Sequence, residues 1–494
     1  MKKYTILFAL IACSLLQWGC EDMLEVKPYS ELSDDAMLTD NGIRALLNSC
    51  YRNMQQSTPS RWQINVAEVT TDIGYNTGGQ ENLQMTQLIN FTWDATLGTF
   101  NDDHWAPWYR AIRDANIILE LAPKATLSEE NRALYTAEAR MLRGYAYAML
   151  YNLFGSVPLR TTSESPAQLA RASDDEMRSF IESELTAVVP ALPDPGAEAA
   201  YGRANKGQAL AVLAKYYLNT RQWQKAADAA QDVIDLGYYG LFDNFEEMFL
   251  VKNEGDKNKD NKEMILVIPC LNQDPYGNWY QAGALPPDFA SSAQFPDFQY
   301  KAGMSRFATN YRMRSAFVNS YGATDVRAKL IMTEYVNEKG VTVDLMTQAN
   351  NARSMKYYDN ETSGNHSGND VPVIRYADIL LTRAEALNEA DGPTQEALDL
   401  INEVRGRAGI AELTLADAPD KETLRNLILQ ERAWEFAAEG KRREDLLRHD
   451  RFISTAQSLG IAIAADKHKL FPFPQRERDT NKISGQNPDY ETIQ

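Results

Sequence analysis

Tyr276, Asn278, Trp279, Tyr280 and Gln281 crowd into one short stretch of the chain. A flat indole or phenol ring matches an apolar face of C–H bonds, and a neighbouring amide matches an edge of hydroxyls. A sugar ring has both a face and an edge of this kind, so the stretch reads as a candidate for sugar recognition. Tyr75 and Asn76, flanked by Gly74, Gly78 and Gly79, have the same make-up. Trp93 and Trp62 are further candidates on the same argument. The competing reading for each ring is an anchor that only holds its own loop.

A second group of residues suggests chemistry of another kind. Glu431, Arg432, Glu435, Glu439, Arg442 and Asp445 follow one another at short intervals, like a catalytic cluster. Spacings of three and four put them on shared helix faces, where opposite charges pair. The reading favoured by that spacing is a structural ion-pair network tying the late helices together. His104, His366, His449 and His468 stand apart, without His-Glu-x-x-His spacing, so no metal is expected. There is no Gly-x-Ser-x-Gly elbow and no phosphate loop. A glycosidase pair of carboxylates cannot be picked out among 68 acidic residues. Asp102-Asp103-His104 reads as a polar cap ahead of a helix beginning at Trp105. The expectation is a protein that is not an enzyme and needs no cofactor.

Helical periodicity supplies the elements that must carry these loops. Asp40–Met54, Trp105–Leu121 and Ala133–Leu153 each repeat apolar residues at helical spacing. Ser173 and Glu176 form a capping box for a helix reaching Val189. Arg203–Gly237 places Leu210, Leu213, Ala214 and Tyr217 on one helix and Trp223, Ala226, Ala230 and Val233 on the next. That order resembles the 34-residue tetratricopeptide repeat, in which small residues sit where paired helices approach most closely. Pro372–Arg407 repeats the pattern through Ala384, Leu387, Ala397, Ile401 and Val404, around an Asp391-Gly392-Pro393 turn. Such hairpins need neighbours to stack on.

The fold class expected is all-α: tetratricopeptide-like helical hairpins, an irregular, loop-rich C-terminal part and little β. Met264–Ile268 is a short β-like run, and Gln273–Thr309 is aromatic and aperiodic. Asn253–Lys262 and Asp359–Asp370 read as polar tips facing solvent. The organisation expected is a leader over 1–19, a helical region over 20–265, and a region with inserted loops and late helices over 266–494.

The net charge of −18 argues against a nucleic-acid partner and against broad adhesion to anionic lipid. Lys2 and Lys3, an apolar run from Tyr4 to Leu16, and Gly19 before Cys20 form the pattern of a bacterial lipoprotein signal. Cleavage would leave Cys20 as an acylated N-terminus, a membrane anchor without a membrane span. The two remaining cysteines, Cys50 and Cys270, read as buried free thiols, with one bridge as the alternative.

Six blocks resemble the SusD/RagB family of outer-membrane lipoproteins. They are Cys20 with Leu24 and Pro28-Tyr29-Ser30, Tyr109-x-x-Ile112 with Ala115-Asn116, and Leu142-Arg143-Gly144-Tyr145 with Phe154-Gly155-Ser156-Val157-Pro158-Leu159. Arg203–Gly207, the charged block from Glu431 to Arg448, and Phe471-Pro472-Phe473-Pro474 with Gln486-Asn487-Pro488-x-Tyr490 complete the set. The resemblance implies a helical, non-enzymatic surface protein. It implies a lid on a SusC-type TonB-dependent transporter, delivering an oligosaccharide or polysaccharide. A peptide-binding relative of the same family and a secreted glycoside hydrolase are the alternatives. Members draw their binding residues from loops, which leaves Trp279, Tyr280, Tyr276, Asn278, Tyr75, Asn76 and Trp93 as the candidates and Trp105 as a core residue.

Overall fold

The computed structural model describes residues 34–55, 60–76, 82–307 and 311–490. The leader and Cys20 lie outside the described residues. Helix accounts for 49% and strand for 8%, so the all-α expectation holds. Six helices follow one another in a stack: α1 (Asp40–Gln55), α2 (Ala106–Leu121), α3 (Glu129–Phe154), α4 (Asp174–Val188), α5 (Lys206–Asn219) and α6 (Trp223–Asp235). Each packs on the next. A short helix, α7 (Tyr280–Ala284), lies in the irregular region. The second hairpin, α8 (Tyr376–Asp391) with α9 (Gln395–Arg407), then packs α8 directly on α6. The two repeat units are therefore spatial neighbours despite the long insertion between them. Ala226, Ala230 and Ala384 are fully buried, which is what close helix approach requires. Two further helices, α10 (Lys421–Glu435) and α11 (Arg442–Arg448), close the stack.

Local chemistry sets the helix ends. Ser128 accepts from the Asn131 N–H, and Ser173 and Glu176 form the reciprocal capping box. Asn205, Thr394 and Asp420 cap α5, α9 and α10 in the same way. Each such cap contributes about 1 kcal/mol. Gly392, at φ 88°, ends α8 in a conformation that only glycine enters freely.

Nine short strands among the described residues complete the fold. β1 is Gly74–Tyr75, β2 Met264–Ile268, β3 Phe289–Ser291, β4 Arg312–Met313 and β5 Ile331–Met332. β6 is Glu334–Asn337, β7 Thr342–Asp344, β8 Arg353–Ser354 and β9 Val371–Arg375. β2 pairs antiparallel with β9 and clasps the base of the excursion between them. The start of the Pro372–Arg407 stretch is thus strand, and helix begins at Tyr376. β-branched Val371, Val373 and Ile374 pair there on a fully buried surface, which overrides helical period. The polar runs expected to face solvent are also corrected. Asn261, Ser367 and Asn369 are buried, and the Asn369 amide donates to the Phe249 and Tyr358 carbonyls. Their amides supply the hydrogen bonds that irregular backbone needs once water is excluded. The main apolar core runs from Ile43 to Tyr490 through both regions, and a smaller cluster gathers Ile73, Met313, Phe317 and Ile331.

The late charged block is structural. Arg375, fully buried, pairs with Glu263, Glu435 (3.0 Å) and Glu439 (2.8 Å). Arg407 pairs with Glu263 and Glu435, and Arg327 with Asp325, Glu431 and Glu435. Lys356 meets Glu439, and Arg405 meets Glu431. Beside them Arg432 meets Asp378 and Asp445, Arg448 meets Glu385 and Asp445, and Lys215 meets Asp378 and Glu444. Each of these cations has a carboxylate within bonding distance, whereas buried Arg443 donates to the Lys469 carbonyl. Cys50 and Cys270 are free and buried. No described helix is long and apolar enough to cross a membrane.

Candidate functional site

The aromatic loop is built around Gly277. A Cβ there would lie 2.3 Å from the His366 Cβ, so only glycine lets the two backbones approach. Asn278 and Ser367 exchange backbone hydrogen bonds at 2.9 Å. The Asn278 amide donates to the Asn369 carbonyl, and its oxygen accepts from the Tyr280 N–H. With those bonds made and its side chain buried, Asn278 shapes the loop and presents nothing to a ligand. Tyr280 is also buried, its ring 5.1 Å from Tyr311 and 5.2 Å from Tyr357. Both are corrected from ligand contacts to supports.

Trp279 and Tyr276 do reach the surface. The Trp279 N–H donates to His366 Nδ1 (3.1 Å), and His366 and Phe307 stand edge-on to its ring at 5.5 and 6.0 Å. Burial lowers the His366 pKa, which favours the neutral ring that accepts this bond, while Asp274 opposes the shift. Tyr276 is 43% exposed, with the Arg52 guanidinium 4.7 Å from its ring centroid. An edge-held indole beside an exposed phenol offers flat apolar surface with little side-chain entropy left to lose on binding.

The second candidate loop joins the first through one segment. The Phe307 N–H donates to the Ala282 carbonyl and the Tyr311 N–H to that of Gly283, so both ends of this segment lie against α7. Its next residue, Arg312, pairs with Tyr75 across β1 and β4. From Phe307 to Arg312 the chain spans at most roughly 17 Å. The Trp279 and Tyr75 loops are thus linked through α7, Tyr311 and β4.

Around Tyr75 the side chains are cationic. The Arg314 guanidinium lies 5.4 Å from the Tyr75 centroid and donates to the Thr71 carbonyl (2.9 Å). A bridge between Met313 and Ala352 brings β4 beside β8, which sets Arg312 opposite Arg353. Cross-strand neighbours share a face, so Tyr75, Arg312 and Arg353 form one row. Arg353 is 2% exposed, and its Nε and Nη1 have no hydrogen-bond partner. Among the described residues no carboxylate pairs with it. Burial, reinforced by Arg312, pushes its pKa down to about 9, which still leaves it charged at neutral pH. Asn76 is buried with both amide atoms unpaired. Sequence reading missed these arginines. Their one signal is the alternation in Tyr311-Arg312-Met313-Arg314, the period of a strand with a polar face.

Trp93 lies elsewhere. It is 3% exposed, donates to the Tyr490 hydroxyl (2.8 Å) and packs edge-on against His468 and Phe471. Both ring faces are covered, so it is a core residue, as is Trp105. The Asp102–His104 triplet does not cap a helix. It lies within a helical turn, Phe100–Trp105, where Asp103 accepts from Thr99 and Arg61. Burial takes His104 down to about pH 4, so it is neutral. A cavity of about 670 Å³ opens between α3, α5 and α11, lined by Tyr145, Lys215, Lys441 and Arg443, and none of the sequence-derived ligand candidates lines it. No group of three or more His, Cys, Asp or Glu is placed to hold a metal among the described residues.

Comparison with known proteins adds the following. The SusD family model matches residues 198–490, and a second model, described as starch-binding associating with outer membrane, matches residues 22–218. SusD-like protein P2 of Formosa agariphila is 27% identical, covering 99% of this chain and 100% of its own length. The crystal structure of a SusD homolog from Bacteroides thetaiotaomicron superposes with a TM-score of 0.80 at 24% identity, covering 94% of this chain and 100% of that one. Surface glycan-binding protein A from Bacteroides thetaiotaomicron, in complex with laminarihexaose, gives a TM-score of 0.74 at 19% identity, covering 91% and 99%. At these identities the two structures establish a shared fold.

Proposed function

The chain belongs to the SusD family, and on that premise we propose that it is a cell-surface lipoprotein that captures a glycan and passes it to a SusC-type TonB-dependent transporter. The observation that carries this reading is the solvent-reaching rings of Trp279, Tyr276 and Tyr75, the first and last held by His366, Phe307 and Arg314, which we read as one binding face. Flat rings on a rigid helical scaffold suit capture. The laminarihexaose bound by surface glycan-binding protein A supports the same ligand class. Acylation of Cys20 would hold the protein at the outer membrane, each buried CH₂ contributing about 0.8 kcal/mol.

Calorimetry of the mature chain against an oligosaccharide panel tests the ligand. Trp279→Ala is expected to weaken binding by about 10- to 100-fold, the loss of one stacked ring. Peptide binding with no glycan binding would replace this reading. Affinity purification from the native membrane tests the transporter partnership, and fatty-acid labelling abolished by Cys20→Ala tests the anchor.

A further inference from the structure

The row of Tyr75, Arg312 and Arg353 narrows the ligand class. In this acidic chain Arg375, Arg407, Arg432 and Arg448 of the late helices are each matched by a carboxylate, and buried Arg443 donates to the Lys469 carbonyl. Arg353 is the contrast: a guanidinium removed from water, with Nε and Nη1 unbonded and a second guanidinium opposite it across the strands. Burial of an unpaired charge is strongly unfavourable, and two like charges together add to the cost. Arg314 adds a third cation on the same side of Tyr75, and unpaired Asn76 lies next in the chain. Here the unsatisfied N–H donors of Arg353 and Asn76 lie beside a half-exposed aromatic ring. The complementary group is an oxyanion attached to a ring that stacks.

Resting on the glycan-capture reading and its single binding face, we propose that the Tyr75 end of that face binds an acidic sugar, its carboxylate or sulfate ester received by Arg312 with Arg353 behind it. A planar guanidinium pairs either oxyanion through parallel N–H bonds, so the two share one recognition chemistry. The Trp279 end then stacks a neighbouring residue of the same oligosaccharide. Arg353 remains buried in the complex, and its field adds to the pull on the anion in a region of low dielectric.

The test is calorimetry of the mature chain with three probes: laminarihexaose, an oligogalacturonate and a sulfated carrageenan oligosaccharide. Each is titrated at low and high salt into wild type, Arg312→Gln, Arg353→Met and Trp279→Ala. One acidic probe is expected to bind at least about tenfold tighter than laminarihexaose, with an affinity that falls as salt rises. Which acidic probe binds separates carboxylate from sulfate. Arg312→Gln is expected to remove that preference and its salt dependence. Arg312 is only half-buried, so this variant keeps the test intact if Arg353→Met does not fold. Equal affinity for neutral and acidic probes, or a preference that survives Arg312→Gln, overturns the acidic-ligand inference and leaves glycan capture standing. Failure of all three probes to bind overturns both.

Discussion

The late helices and the Tyr75 strands both bury arginine, and they do so differently. Around Arg375, Arg407, Arg327 and Arg432, each guanidinium meets carboxylates on neighbouring helices. Around Tyr75, Arg353 is equally buried and meets none among the described residues. A matched network holds elements in register and has no unmet demand left to express. An unmatched cation raises the energy of the empty protein and lowers it when an anion arrives. Burial alone therefore does not distinguish structure from function; the balance of charge does.

The contrast can be broken most forcefully from the matched side. Glu435→Ala leaves Arg375, Arg407 and Arg327 short of a partner and is expected to cost about 3–5 kcal/mol in denaturant unfolding. A loss below about 1 kcal/mol would mean the network contributes little.

Acid should act on the same region. Burial by itself would raise Glu435 and Asp378, yet their cationic neighbours hold both well below the usual carboxylate range. Their stabilisation is present above the unfolded value near pH 4 and is lost as pH falls toward the folded value. Glu68 runs the other way. Burial pushes it up to about 7, against the N–H bonds it accepts from Glu439 and Gly440. Its contribution worsens as pH rises from about 4.5 to about 7. Glu68→Gln is expected to flatten stability across that window by up to roughly 3 kcal/mol, read from melting curves at successive pH values.

The unmatched side should respond with the opposite sign. Arg353→Met removes a buried charge that no carboxylate answers, and is expected to stabilise the empty protein by about 1–3 kcal/mol while weakening acidic ligand. A large destabilisation would show that Arg353 is structural after all. The smallest effect sharpens the boundary of the face. Trp93→Phe loses the bond to Tyr490 and should cost about 1 kcal/mol in stability, with glycan affinity unchanged.

Much of this was legible before any coordinates. The repeat hairpins follow from period, because Leu210, Ala214, Ala226 and Ala384 recur where packed helices must touch. The Ser173–Glu176 box and the pairing spacing of Glu431, Arg432 and Glu435 are local and readable. Trp279 and Trp93 were not separable, since both are tryptophans in aperiodic sequence and differ only in what covers them.

The sequence by itself determined the helical stack, its caps, its family and the late block of paired charges. Each rests on contacts a few residues apart or on a repeated pattern. Only the tertiary structure decided that α6 meets α8, that β2 and β9 clasp the excursion, and that Tyr75, Arg312 and Arg353 form one row. These residues lie far apart in the chain, and strand register, which no local pattern encodes, brings them together. The same long-range packing covers Trp93 and leaves Trp279 facing outward.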